Sequence, residues 1–235
     1  MSVGSVTKGE TRVQDLRISY EQGVLTEDML APDPFTQFTN WFADATATEA
    51  EKPKILEPNA MVVSTVDESG QPSSRSVLLK DISPAGFTFY TNLESRKSNQ
   101  ISQNPRVSLL FPWYELHRQV IVVGSAELIP RDAVAEYFNS RPRESQLGAW
   151  ASDQSRELHD RAELDAKFAE VSERFASVEK IPVPEFWGGW LVRADSVEFW
   201  QGRPSRLHDR LVFIKKGSDS DLTISTNWRL QRLSP

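Results

Sequence analysis

The chain has 235 residues, a formal net charge of −6 and no cysteine; 39% of it is hydrophobic and 26% charged. That is enough chain to bury a sizeable core, with the composition of a globular protein. It excludes disulfides, thiolate nucleophiles and cysteine metal sites, and the acidic balance argues against a nucleic-acid-binding surface.

The apolar runs are all too short to span a membrane. The N-terminus lacks an apolar signal core and the arginine richness of a transit peptide, so a cytoplasmic location is expected. The three histidines, His117, His159 and His208, are too scattered for a metal motif, and no metal is expected.

Residues 1–15 are polar and aperiodic, which predicts a disordered segment ahead of one domain over 16–235. Asp15 to Gly23 is expected as a short helix or ordered arm carrying Arg17 and Tyr20. Asp33-Pro34 starts a helix whose Phe35, Phe38, Trp41 and Phe42 share one face. An acidic surface connection over 43–58 follows. Strands are expected at 61–66, 74–80, 86–91, 107–111 and 118–128, with a turn at 67–70. The pattern then predicts a helix over 130–140, a long charged helix over 152–176, a β section opening at Trp187, and a last strand within 222–233. Short antiparallel strands with helices gathered between them predict a mainly β fold, a barrel with peripheral helices.

Four stretches carry the chemistry. Ser95 is placed to cap a helix, which puts Arg96 and Lys97 in its first turn. Cations there oppose the helix dipole by roughly 0.3–1 kcal/mol each, a conflict that a bound phosphate removes. The alternative is that both side chains turn into water. Along Arg75-Ser76-Val77-Leu78-Leu79-Lys80 an apolar middle lies between two cations, suited either to a flat ring or to a core strand with wet ends. Tyr137 and Arg141 are four apart, and Pro142 ends their helix with Ser145 following in a loop. Those three donors fit a phosphomonoester, or else a simple packing pair. Finally, 197–201 and 206–214 read as a hairpin whose return strand puts Arg206, His208 and Arg210 on one face. Such a row suits an anionic or electron-rich ligand and equally suits a solvated edge. Gln119, Gln154 and Ser155 could meet polar ring edges, and Trp200 an aromatic ligand. Without a nucleophile triad, strong carboxylate pair or Gly-rich phosphate loop, any hard chemical step calls for a cofactor.

These stretches, together with Phe89-Tyr90-Thr91-Asn92, Gly148-Ala149-Trp150, Trp187-Gly188-Gly189, Glu198-Phe199-Trp200-Gln201-Gly202, Arg206-Leu207-His208-Asp209-Arg210 and the closing Arg232-Leu233-Ser234-Pro235, resemble the pyridoxamine 5′-phosphate oxidase family from about Arg17 onward. The resemblance implies an antiparallel FMN-binding split β-barrel and a homodimer with FMN at the subunit interface. It implies oxidation of pyridoxamine 5′-phosphate or pyridoxine 5′-phosphate to pyridoxal 5′-phosphate, with O2 as final acceptor and H2O2 as by-product. By position, Arg96 and Lys97 would bind the FMN phosphate. Residues 75 to 80, Tyr90, Thr91, Gln119, Gln154, Ser155, Trp200 and Arg210 would hold the rest of FMN. Lys80, Tyr137, Arg141 and Ser145 would take the substrate phosphate. Arg206 and His208 would sit over the substrate ring as the catalytic pair, and Arg17 and Tyr20 would cover the site. Gly202-Arg203 departs from the two glycines of many relatives, and Ser234 from a usual alanine. A split-barrel reductase of another substrate, or a non-catalytic carrier of pyridoxal 5′-phosphate or FMN, are the alternatives.

Overall fold

The computed structural model describes Tyr20, residues 23–47 and residues 55–235. Arg17 and most of the expected N-terminal arm lie outside the described residues. Among the described residues nine antiparallel strands form one curled sheet, with five α-helices around it: a split β-barrel with peripheral helices. The order is β2 (Pro72–Leu78), β1 (Ala60–Val66), β5 (Arg106–Trp113), β6 (Arg118–Leu128), β7 (Trp187–Gln201), β4 (Gly86–Asn92) and β3 (Asp81–Ser83), with β8 (Asp209–Lys215) and β9 (Trp228–Leu233) branching from β7.

The branch point follows from length. At 15 residues, β7 is long enough to pair with β6 along its whole run. Its other edge then serves β4 over 187–192 and β8 over 196–201. A register shift between Val123 and Gly124 bends the β6–β7 ribbon where the two partners change over. Glycine is required there, because a Cβ at Gly124 would overlap the Arg193 carbonyl oxygen.

Alternation sorts the side chains. In β1, Met61, Val63 and Thr65 point inward between half-exposed neighbours. β4 is buried at nearly every position, as a strand covered on both faces must be. Helix α1 (Pro34–Thr46) supplies the plug. The Asp33 carboxylate caps it by accepting from the Thr36 N–H at 2.8 Å, and Pro34 occupies the first turn. Phe38 then reaches the middle of the barrel, with ring centroids 5.0 Å from both Phe87 and Phe111 and 5.8 Å from Trp113. A second apolar cluster, including Val134, Phe138, Leu147, Phe175, Ile181 and Trp187, lies under α3 (Arg131–Ser140), α4 (Arg143–Ala151) and α5 (Arg161–Arg174). Among the described residues no helix is long and apolar enough to cross a membrane.

The structure corrects several boundaries. The hairpin's return strand starts at Asp209, because a 3-10 turn at Pro204–Arg206 intervenes; Arg206 and His208 are therefore not in strand register with Arg210. Ser145 lies within α4 rather than in a loop, since Pro142 caps a new helix as well as following the old one. The charged helix begins at Arg161, not 152, and is started by the Asp160 carboxylate accepting from the Glu163 N–H. Strand β2 ends at Leu78, leaving Lys80 beyond it, and β9 begins only at Trp228. Helix α1 continues to Thr46, into the stretch expected as a connection.

Candidate active site

Between β2, β4, α2 (Arg96–Gln103) and α4 lies a cavity of about 770 Å³. Its lining includes Arg75, Lys80, Lys97 and Arg141 and no carboxylate. Four cations without a counter-charge in the lining, in a chain of net charge −6, favour an anion as the occupant.

Three of the four, Lys97, Arg75 and Arg141, show the deficit in their own contacts. The Lys97 ammonium, in the first turn of α2 and 8% exposed, donates to Thr91 Oγ1 at 2.8 Å, Gln154 Oε1 at 2.7 Å and Ser95 Oγ at 3.3 Å. All three acceptors are neutral. Burial, and then the nearby Arg75, push its pKa down to about 8. Arg75 donates to the Val63 carbonyl at 3.2 Å, Thr65 Oγ1 at 2.7 Å and Ser73 Oγ at 2.6 Å, again without a carboxylate, and burial and Arg96 lower its pKa. Arg141 has a buried Nη1 with no hydrogen-bond partner. Its guanidinium lies 5.0 Å from the Trp187 ring centroid, and burial lowers its pKa.

One wall of the cavity is aromatic. Tyr90, Tyr137 and Trp187 lie nearly parallel in mutual contact, Tyr90 at 4.0 Å and 19° from Tyr137 and at 5.4 Å and 8° from Trp187, and Tyr137 at 6.0 Å from Trp187. Gly189 makes the stack possible: a Cβ there would press to 2.8 Å from the Tyr90 ring. Ser76, Val77 and Leu78 line the cavity from β2, and Ser145 from α4. The cavity thus combines a flat ring surface, a neutral polar edge at Thr91 and Gln154, and cations grouped around Lys97 and around Arg141. The donor set fits a phosphorylated aromatic molecule.

The other expected site residues lie elsewhere. Leu79 is in the core at 6% exposure, with its N–H donating to the Asn59 carbonyl at 2.8 Å. Arg96 and Ser155 line a neighbouring cavity of about 350 Å³ together with Asp67, Glu94 and Arg156. Tyr20, Trp200 and His208 form a separate aromatic group: Trp200 is 4.6 Å and Tyr20 5.7 Å from the His208 ring. Gln119 pairs with Trp200 across β6 and β7. Arg210, the Cα partner of Trp200, already forms a two-pronged ion pair with Glu198 at 2.7 and 3.0 Å, which raises its pKa. Arg206 sits in the turn just before His208. This group and the main cavity share no lining residue and no ring contact among the described residues.

Sequence reasoning did not assign Asn92, Pro142, Gly148, Ala149, Ser152 and Trp187 to the site, yet all line the cavity. Trp187 was the readable one, as an aromatic ahead of two glycines. Ser152 carries no signal in its type or spacing.

Comparisons with known proteins bear on the family and the fold. A family model described as pyridoxamine 5′-phosphate oxidase matches residues 47–175, and one described as pyridoxine 5′-phosphate oxidase C-terminal dimerisation region matches 187–235. A Streptomyces avermitilis protein named pyridoxine/pyridoxamine 5′-phosphate oxidase is 50% identical over 220 residues, 94% of this chain and 95% of that protein. A protein of the same name from Pseudoalteromonas translucida is 46% identical over 224 residues, 95% of this chain and 100% of that one. Among solved structures, PhzG from Burkholderia lata in complex with tetrahydrophenazine-1-carboxylic acid matches with a TM-score of 0.79 at 28% identity, covering 92% of this chain and 100% of that one. An FMN-binding, pyridoxamine 5′-phosphate oxidase-related protein of Nostoc punctiforme shares the fold, with a TM-score of 0.64 at 13% identity over 86% of this chain and 98% of that one. A matched family model over more than half the chain, and relatives this similar along nearly its whole length, show that the chain belongs to the pyridoxamine 5′-phosphate oxidase family.

Proposed function

We propose that this chain oxidises pyridoxamine 5′-phosphate or pyridoxine 5′-phosphate to pyridoxal 5′-phosphate with FMN and O2. The alcohol plus O2 gives the aldehyde plus H2O2; the amine also takes up water and releases ammonia. When bound, FMN would supply a two-electron acceptor for a hydride from C4′ of the substrate, with O2 as the final oxidant.

One observation carries this reading: the cavity presents four cations and an aromatic wall and has no carboxylate in its lining. Lys97 would hold the cofactor phosphate from within the main cavity and Arg96 from the neighbouring one, with the free N–H groups at the start of α2 between them adding to their charge. Residues 75 to 80, Tyr90, Thr91, Gln119, Gln154, Ser155, Trp200 and Arg210 would hold the remainder. Lys80, Tyr137, Arg141 and Ser145 would hold the substrate phosphate, and the unpartnered Arg141 Nη1 supports that assignment. A reductase of an unphosphorylated substrate would have no use for these last four together.

Arg206, His208 and Tyr20 would position the substrate ring. His208 Nδ1 accepts the Arg203 backbone N–H at 3.0 Å, which leaves Nε2–H as the donor it offers. Burial and the adjacent Arg206 lower its pKa, so it is neutral at pH 7 and orients the C4′ substituent rather than removing a strongly held proton. Because the hairpin group and the cavity are separate within one chain, the reading places two copies together, the hairpin of one completing the cavity of the other.

Purified protein should be yellow, or become so with FMN, and should convert pyridoxamine 5′-phosphate to the aldehyde over many turnovers with matching H2O2. A colourless protein that refuses FMN and leaves the amine untouched would overturn the proposal. Release of one equivalent per chain would favour the carrier alternative.

A further inference from the structure

The loop between β7 and β8 contains two consecutive non-glycine residues at positive φ, Ser205 at 58° and Arg206 at 62°. Side chains disfavour that backbone, which persists only where its surroundings fix it. Arg203 ties the loop down at both levels. Its backbone N–H bridges the turn to His208 Nδ1. Its guanidinium reaches across to the other end of the chain: Nη1 donates to the Gly23 carbonyl at 2.6 Å, and Nε lies 3.6 Å from Asp209 Oδ2.

The same segment is held again just downstream. Asp209 Oδ2 accepts the Leu25 N–H at 3.1 Å, and Arg232 donates to Asp209 Oδ1 at 2.7 Å and to the Leu25 carbonyl at 2.9 Å. Arg232 is matched by two carboxylates, Glu27 and Asp209, and secures the segment to β9. Arg203 joins the segment to the loop that carries Arg206 and His208. Gly23 is three residues from Tyr20, whose ring stands edge-on to His208 at 5.7 Å, to Trp200 at 5.9 Å and to His117 at 4.6 Å. The bond from Arg203 to Gly23 thus lies three residues from the contact between Tyr20 and His208.

We propose that Arg203 is a positioning residue for the reaction: its guanidinium holds the Tyr20 segment and the Arg206–His208 loop as one unit, so that substrate-facing side chains from both ends of the chain arrive in register. This rests on the functional reading above for Tyr20, Arg206 and His208. The guanidinium itself touches no reacting atom. Its influence passes through a carbonyl and a carboxylate.

The test compares Arg203→Ala and Arg203→Lys with the parent, each as FMN-loaded full-length protein. Three measurements are made: steady-state kinetics with pyridoxamine 5′-phosphate, FMN content with Tm, and hydrogen exchange at the Leu25 amide. Arg203→Ala should raise KM about tenfold, the loss of one charge-assisted hydrogen bond, while kcat stays within about twofold. The Leu25 amide should exchange about tenfold faster, with β8 amides, FMN content and Tm unchanged. Arg203→Lys, which can still donate to Gly23, should recover most of the loss. An unchanged KM in an active enzyme would overturn the proposal. So would loss of FMN or a general fall in Tm, which mark a merely structural residue. If the parent itself does not oxidise the substrate, the functional reading fails and the reaction role of Arg203 falls with it; Leu25 exchange then still decides whether the tie exists.

Discussion

Lys97, proposed above to bind the cofactor phosphate, should destabilise the ligand-free protein. Its ammonium is 8% exposed, has only neutral acceptors, and has its pKa lowered from the usual 10.5 to about 8 by burial and by Arg75. At ~1.4 kcal/mol per pH unit, that difference corresponds to about 3 kcal/mol of strain in the charged form. The folded state releases the proton more readily than the unfolded chain. Stability contributed by this group is therefore lowest below pH 8 and rises between about pH 8 and 10.5. Lys97→Met removes the charge at similar length. Thr91 Oγ1 and Gln154 Oε1 keep their own 3.0 Å hydrogen bond, and Ser95 Oγ keeps Ser98, so little is left unpaired. Ligand-free Lys97→Met should thus be more stable than the parent by about 1–3 kcal/mol at pH 7, and the gap should close towards pH 10. Urea unfolding of the FMN-free proteins at pH 7, 8.5 and 10 measures it. FMN titration of the same proteins should show about 10- to 100-fold weaker binding by the variant. A variant less stable than the parent at pH 7, with the gap unchanged at pH 10, would refute the reasoning.

Arg141→Met keeps the contact with the Trp187 ring face but removes the guanidinium, whose Nη1 has no protein partner. Steady-state assays should show KM for pyridoxamine 5′-phosphate raised at least about tenfold with FMN still bound, since a charge-assisted contact to phosphate is lost. Phe38→Ala empties the centre of the barrel among Phe87, Phe111 and Trp113, and should cost about 3–5 kcal/mol in urea unfolding with little change in the unfolding slope.

Much of the fold was legible because period and burial agree. β1 and β5 alternate along their lengths, and Asp33-Pro34 caps the helix whose aromatic face plugs the barrel. The hairpin misled because apolar and polar positions keep a period of two through Arg206 and His208. Two left-handed residues break the strand there without a glycine to announce them. The start of α5 was readable after all: Asp160 and Glu163 form a capping pair, with Glu163 also accepting the His159 N–H at 2.9 Å. Pro142 marks a helix stop, but proline also opens helices, and so Ser145 falls within α4 rather than in the expected loop. Among candidate site residues, Arg75, Lys80, Lys97, Tyr137, Arg141 and Ser145 come together in one cavity although they are spread from position 75 to position 145. Arg96 and Lys97 part company because consecutive helical side chains point about 100° apart, one into each cavity. No spacing rule could have told which of the two would face the larger space.

Strand β7 carries Trp187 at one end, in the cavity wall, and Trp200 at the other, beside His208. Thirteen residue steps of extended chain separate them, on the order of 40 Å along the strand. A vitamin-sized molecule cannot bridge that length. If turnover needs both ends, it exists only while two chains stay associated, and dilution below their dissociation constant would silence the enzyme with every subunit still folded.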